Sequence, residues 1–276
     1  MSDRSIWEIL AIFMVLVMVG SCAAMPSVGD VSESEVKSSS SATIYVPDDY
    51  LTIQEAVNAA SAGDTIIVRD GTYTENVEVD KRLTIRSENG SDSTIVQARN
   101  WKNPAFRVTA DNTEITGFTV KGAFSYALIG PPSAIFTRGG IQLESCEYCN
   151  ISNNICYNNS IGIHLVESGN NIILKNNCSS NIGSGAIYLD SSNNNLITNN
   201  NCSNNNFTTS CFDVTTGRME VVHWGNGISV RDSNNNIIYL NNFINNTKNV
   251  NSYNSANIWN STEKITYTYN GTTYEN

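Results

Sequence analysis

The sequence predicts an all-β fold, a right-handed parallel β-helix with coils of about 22 to 24 residues and a short helix capping its N-terminal end. Three observations predict it. Four segments repeat one pattern: Gly140-Ile141-Gln142-Leu143, Gly162-Ile163-His164-Leu165, Ile187-Tyr188-Leu189 after Gly185-Ala186, and Gly227-Ile228-Ser229-Val230. Within each repeat apolar and polar residues alternate with period two, Ile141 inward and Gln142 outward, which is the mark of a half-buried strand. Charged residues are only 15% of the chain, and Asn, Ser, Thr and Gly take their place, a composition that favours stacked sheets and exposed turns over helices.

At the N-terminus, residues 1–24 read as a signal peptide or lipoprotein signal. Arg4 precedes an apolar run from Ile9 to Val19, small residues follow, and the run is too short for a comfortable membrane span. Cleavage after Ala23 or Ala24 fits. Val19-Gly20-Ser21-Cys22 also has the look of a lipobox, which would place a lipid on Cys22; an uncleaved anchor is the remaining alternative. Residues 25–42 are rich in Ser, Glu and Val without periodicity and read as a disordered spacer. The β-helix domain is then expected over 43–276. Nine Asn-x-Ser/Thr sequons, from Asn89 to Asn270, agree with export, although a chain this rich in Asn and Ser makes them by chance.

Ile44-Tyr45-Val46 reads as a short strand ended by Pro47. Ile53, Ala56, Val57 and Ala60 then have helical spacing, with Thr52 as N-cap and Glu55 completing a capping box. This helix is expected to cover the open end of the first coil, since a bare parallel edge invites aggregation. Strands follow at Thr65 to Val68, at Val77 and Val79, and at Leu83 and Ile85. Ile115 to Val120 fits a further coil, and Gly122 to Gly139 reads as a loop insertion.

Each of the four repeats is followed by a Ser/Asn-rich turn and an apolar position: Ile151, Ile172, Leu196 and Ile237. Then come Asn154-Ile155-Cys156, Asn176-Asn177-Cys178, Asn200-Asn201-Cys202 and Asn241-Asn242-Phe243. The opening Ile residues are 22, 24 and 41 apart, so the last step is one coil plus an insertion over 206–226. Residues 251–276 read as an irregular end. Asn at a corner takes left-handed geometry readily, and at a coil spacing of about 4.8 Å its amide can bond the Asn above and below, forming a ladder.

The run Thr52-Ile53-Gln54-Glu55-Ala56-Val57, Gly63-Asp64-Thr65-Ile66 and Asp70-Gly71-Thr72-Tyr73-Thr74-Glu75-Asn76 resembles the opening of β-helix proteins of the pectin-lyase-like superfamily. Within that group the chain is most similar to the NosD-like family, named after a periplasmic copper-associated accessory protein and common at archaeal and bacterial cell surfaces. The resemblance covers roughly residues 44 to 250 and implies the fold; for activity it implies only that copper handling is a candidate. Relatives run on past an ending such as Tyr267-Thr268-Tyr269-Asn270-Gly271, so the resemblance implies a C-terminal cap that is missing or shared with a partner.

Three functional readings follow: a non-catalytic envelope protein, structural or glycan-binding; a polysaccharide lyase or hydrolase; and a copper-handling protein. Net charge is −10, which argues against nucleic acid and leaves cations, cationic partners or neutral glycans. The expected partners are envelope glycan or neighbouring domains, with membrane contact only through the N-terminal anchor. Tyr188, Trp224, Tyr239 and Trp259 are the aromatics available to stack on sugar rings. Catalysis would draw on Asp213 with Arg218, or Asp232 with Arg231; the chain shows no Asp-Asp pair or His-Gly motif of the kind carried by the polygalacturonases of that superfamily, and the later pectinesterase motifs find no match. No cofactor is required, but copper and calcium have candidate ligands. For copper these are His223, Met219 and Cys211 in the insertion, or thiolates of the Cys156, Cys178, Cys202 column, which also reads as a buried apolar file or an inter-rung disulfide. Cys146-x-x-Cys149 lies at a turn and suits a local disulfide, with a metal site as the alternative. Glu144, Glu167, Asp190 and Asp232 would line up for calcium, or serve as ordinary turn residues.

Overall fold

The computed structural model describes residues 41–276 except 125, 129–133, 137, 214–216, 262–265, 270–271 and 276. The expected signal, the lipidation position Cys22 and the spacer up to residue 40 lie outside the described residues. The last two residues assigned to the spacer do not: the Ala42 amide donates to Asp64 Oδ1 at 2.7 Å and its carbonyl accepts from Thr65, so Ala42 is bonded into the first coil.

The fold is a right-handed parallel β-helix, as the repeats predict. Three sheets run its length, so each coil contributes three short strands. Sheet 1 pairs Thr43–Val46, Thr65–Val68, Thr84–Ser87, Glu114–Thr116, Asn150–Ser152, Ile172–Leu174, Leu196–Thr198 and Ile237–Tyr239. Sheet 2 runs from Gly71–Thr74 to Asn242–Ile244, and sheet 3 from Val77–Val79 to Lys248–Tyr253. All pairings within these sheets are parallel. Such strands exchange all their hydrogen bonds with the coil above and below, so stacking, not any single coil, closes the core.

The apolar files follow from the alternation. On sheet 3, Ile141, Ile163, Ile187 and Ile228 lie in register, as do Leu143, Leu165, Leu189 and Val230, all buried. Truncating one of these to Ala would leave a cavity costing roughly 2–5 kcal/mol. Sheet 2 stacks Cys156 on Cys178 on Cys202 on Phe243, the three thiols fully enclosed and free. Sheet 1 corrects the expected register by one residue. Ile151 pairs with Ile173, Ile197 and Ile238, whereas Ile172, Leu196 and Ile237 form the outer file with Asn150. A one-residue shift exchanges the faces of a strand, and Ile172 is accordingly 40% exposed.

The corners divide between two kinds of residue. Left-handed backbone falls to a file before each buried polar residue: Asn153, Lys175, Asn199 and Leu240 at the corner from sheet 1 to 2, Asn158, Ser180, Asn204 and Asn245 at the corner from sheet 2 to 3. The next residue points inward and bonds its counterpart. Asn154 Nδ2 donates to Asn176 Oδ1 (3.1 Å), Asn176 to Asn200 (3.1 Å), and Asn200 to Asn241 (3.0 Å). Asn159, Asn181, Asn205 and Asn246 repeat this at the next corner, and Asn195, Asn236 and Asn257 at the third. Thus the left-handed residue and the stacking Asn are different residues, not one. The stacked amides also crowd the glycine that opens two of the repeats: a Cβ on Gly140 would lie 2.7 Å from Asn159 Nδ2, and one on Gly162 3.1 Å from Asn181 Nδ2.

Helix α1 (Ile53–Ala59) is capped as expected, Thr52 accepting from the Glu55 amide and Glu55 from the Thr52 amide. Ile53, Ala56 and Val57 are buried against the first coils. Two insertions leave the corner between sheets 2 and 3, and neither is merely a loop. The first contains an antiparallel pair, Tyr126–Leu128 with Ala134–Phe136; the second is a hairpin of Phe207–Asp213 and Arg218–Trp224. The expected irregular end is also corrected. Lys248–Tyr253 completes sheet 3, Ile258 bridges to Ile237, and Thr266–Tyr269 pairs with Thr272–Glu275.

Candidate functional site

The outward face of sheet 3 carries the file Gln142, His164, Tyr188, Ser229 and Asn251. It sits beside the corner from which both insertions rise. Where the second hairpin returns to the sheet, a cleft of about 360 Å³ opens, lined by Ser184, Tyr188, Trp224, Asn226, Ser229, Arg231 and Tyr253 among others. Gly225 makes this junction possible: its φ is +103°, and a Cβ there would lie 2.3 Å from the Asn205 carbonyl oxygen.

The floor is polar and fixed. Asn226 Nδ2 donates to Ser229 Oγ (2.9 Å) and to the Ser184 carbonyl (3.3 Å), and Ser229 Oγ donates to that carbonyl at 3.2 Å. Tyr188 forms one wall, its ring stacked on His164 with centroids 5.0 Å apart and planes 1° from parallel. His164 therefore points outward as the alternation predicts, yet is buried. Burial, then Asp190, push the Tyr188 hydroxyl above its ordinary pKa, against a hydrogen bond with Arg231. Arg231 is pushed up chiefly by that bond and by Asp190. Its Nε lies 3.3 Å from Asp232 Oδ2 and 4.0 Å from Asp190 Oδ1, and Asp232 Oδ1 accepts from Asn254 at 2.7 Å.

The structure thus brings Tyr188, Trp224 and Arg231 together, with Asp232 beside Arg231. It does not bring in Tyr239, which lies in sheet 1 opposite Thr198. Asp213 and Arg218 face each other in the register at the far end of the hairpin from Trp224, so the two catalytic candidate pairs are in different places. Sequence reasoning missed Tyr253 and Asn226. Tyr253 pairs in register with Arg231, and its Tyr at a strand end in a presumed irregular tail gave no periodic signal.

The acidic line is corrected too. Glu144 and Asp190 share one file with Val166 and Arg231, while Glu167 and Asp232 occupy the left-handed corner file one step on. Glu144 is held by Arg107, which also binds Glu78 at 2.9 Å, and by Gln142. Burial pushes its carboxyl up, but Arg107, Gln142 and Arg138 together hold it below the ordinary carboxylate range.

Copper fits these residues poorly. Met219 and His223 are four positions apart on one strand, about 13 Å at a strand's rise per residue. Cys211 pairs with Glu220, out of phase with both, and His223 Nδ1 lies 3.0 Å from Thr208 Oγ1. In the thiol file, the bond to Cys156 and burial push Cys178 up, and burial pushes Cys202 up to about 12, so neither supplies a thiolate at neutral pH. Cys146 and Cys149 are free and buried, not bridged, their thiols donating to the carbonyls of Val108 and Ala110. Among the described residues no group of three His, Cys, Asp or Glu side chains is placed to hold a metal.

Three parallel sheets, stacked polar corners and a cleft where an insertion meets the outer face define a β-helix repeat protein with a cleft on its flank. A family model described as "Periplasmic copper-binding protein (NosD)" matches residues 57–276, and the chain belongs to that family. A cell surface glycoprotein of Methanothermus fervidus is 35% identical over 108 residues, which is 38% of this chain and 15% of that protein, so the chain spans a small part of its relative's length. Among solved structures, the Dettilon tailspike protein matches with a TM-score of 0.50 at 15% identity, over 72% of this chain and 39% of that one. An alginate lyase from Paenibacillus sp. str. FPU-7 matches with a TM-score of 0.48 at 16% identity, over 73% and 75%. At such identity the likeness concerns the fold.

Proposed function

We propose that this extracytoplasmic β-helix protein is a non-catalytic binder of neutral envelope glycan, held in the cleft of Tyr188, Trp224 and Tyr253. The observation that carries this reading is the meeting of those three aromatics over a floor of amide and hydroxyl groups. Aromatic faces cover the apolar side of a sugar ring, and fixed amides meet its hydroxyls. Arg231 is already matched by Asp190 and Asp232, which favours an uncharged ligand and leaves neither carboxylate free as an acid or base. The NosD family description and the cell surface relative support a location outside the cytoplasm. Residues 1–24 would direct export, with Cys22 the position of a lipid anchor.

Calorimetry of the full chain against neutral cell-wall oligosaccharides tests this. Tyr188→Ala and Trp224→Ala should each weaken binding about tenfold, the loss of roughly one stacked ring. New reducing or unsaturated sugar ends in the same mixtures would overturn the non-catalytic reading, and undiminished binding by both variants would overturn the site.

A further inference from the structure

A second, larger cleft of about 470 Å³ lies at the end of sheet 2, lined by Gln97, Arg99, Trp101, Lys121, Phe124 and Asn158 among others. Its charge is opposite to that of the molecule. In a chain of net −10, Arg99 and Lys121 line it, and the Nζ of Lys102 lies 5.2 Å from the ring centroid of the lining Trp101. Lys121 Nζ lies 5.9 Å from the Tyr157 ring centroid. Among the described residues, no carboxylate forms an ion pair with Arg99, Lys102 or Lys121, whereas Arg69, Arg107 and Arg231 each hold two. Trp101 is 44% exposed.

The loop that presents Trp101 is built to hold its shape. Asn76 Nδ2 donates to the Asn100 carbonyl at 3.2 Å and to the Pro104 carbonyl at 2.7 Å, while its Oδ1 accepts from the Asn100 amide at 2.8 Å. The Phe124 amide donates to the Trp101 carbonyl at 2.6 Å, tying the loop to the root of the first insertion. Gly122 closes the floor with φ +86°, where a Cβ would lie 3.4 Å from Gln97 Cγ. A loop whose backbone is already fixed beside unmatched cations loses little backbone entropy on binding.

We propose that this cleft binds an acidic saccharide, a sugar carrying carboxylate or sulfate groups, with Trp101 against the ring and Arg99, Lys102 and Lys121 on the anionic group. Its ligand is of the opposite charge class to that of the sheet 3 cleft, and the proposal stands apart from that reading. A guanidinium beside an ammonium suits an anionic substituent, and the indole selects a ring over a bare anion.

The test is calorimetry of the full chain against an oligogalacturonate, a cello-oligosaccharide of equal length and inorganic sulfate. The oligogalacturonate should bind, and more weakly as salt rises from about 0.05 to about 0.3 M. Arg99→Ala with Lys121→Ala should weaken it about tenfold or more, and Trp101→Ala should weaken it without changing any binding of sulfate. Tyr188→Ala should leave it unchanged, which separates failure here from failure at the sheet 3 cleft. All substituted side chains are exposed or half-buried, and an unchanged melting temperature checks the fold. Sulfate bound as tightly as the oligogalacturonate, cello-oligosaccharide bound equally well, or undiminished binding by the charge variant would each overturn the proposal.

Discussion

Asn200 shows what a stacked amide does in this fold. Its Oδ1 accepts from both the amide and Nδ2 of Asn176, at 2.9 and 3.1 Å, and its Nδ2 donates to the carbonyls of Ile173 and Thr198 and to Asn241 Oδ1. Asn200 is 1% exposed, so removing its side chain takes a partner from the Asn176 amide and the Ile173 carbonyl away from water, while the Thr198 carbonyl keeps the Lys175 amide at 3.3 Å. Asn200→Ala should lower the unfolding free energy by about 2–4 kcal/mol in urea denaturation, and Asn200→Asp should do no better, since a carboxylate cannot donate to those carbonyls. A loss under about 0.5 kcal/mol would mean that the corner relaxes around the gap. Cys202 makes a pH-dependent counterpart. Burial raises its thiol to about 12 from an ordinary value of 9.0. The unfolded chain therefore releases a proton that the folded chain keeps, and stability is intact below pH 9 and falls between about pH 9 and 12, by up to about 1.4 kcal/mol per pH unit for one thiol. Replacing Cys202 by Ala should flatten that stretch of the stability profile measured by denaturant titration; an identical slope in the variant would assign the loss to other groups.

At the scale of elements, helix α1 was legible in full because its signal is local: Thr52, Glu55 and the spacing of Ile53, Ala56 and Val57 lie within one short run. What the sequence hid is the reach of Glu75, whose carboxylate accepts from the amides of Ile53 (3.0 Å) and Gln54 (2.9 Å) from a coil away. A helix start leaves such amides without partners, so a carboxylate there replaces water and complements the helix dipole. Thr52→Ala should cost about 1 kcal/mol, and Glu75→Ala about as much or more, read as faster amide exchange through α1. Equal exchange in Glu75→Ala would show that solvent serves those amides as well. The sheet 1 register failed for a related reason. Ile172 and Ile173 are both apolar, so period two could not say which faces inward, and only the pairing with Ile151 decides it. The hairpin is hidden in the sequence although Thr208, Thr209, Val221 and Val222 are strand formers, because nothing in the repeat predicts an antiparallel pair there.

For the whole molecule, the division is between what repeats and what does not. The coils were legible because each inward file restates itself at every turn. The clefts were not, because each is assembled from residues far apart in the chain: Tyr188, Trp224 and Tyr253 in one, Arg99 and Lys121 in the other. That separation has a consequence. Each coil bonds only to its neighbours, so the scaffold does not depend on the hairpin that furnishes Trp224. The coil before passes the same corner through Asn181-Ile182-Gly183-Ser184 and enters sheet 3 at Gly185, which pairs with Asn226. Replacing residues 206–225 by the corresponding Ile182-Gly183-Ser184 stretch should therefore keep the parallel sheets, seen as an unchanged far-ultraviolet circular dichroism band and a cooperative melt. It should abolish neutral glycan binding while sparing binding of an acidic oligosaccharide at Trp101. Global unfolding of the shortened chain would show that the hairpin supports the scaffold, and retained neutral glycan binding would remove Trp224 from the site.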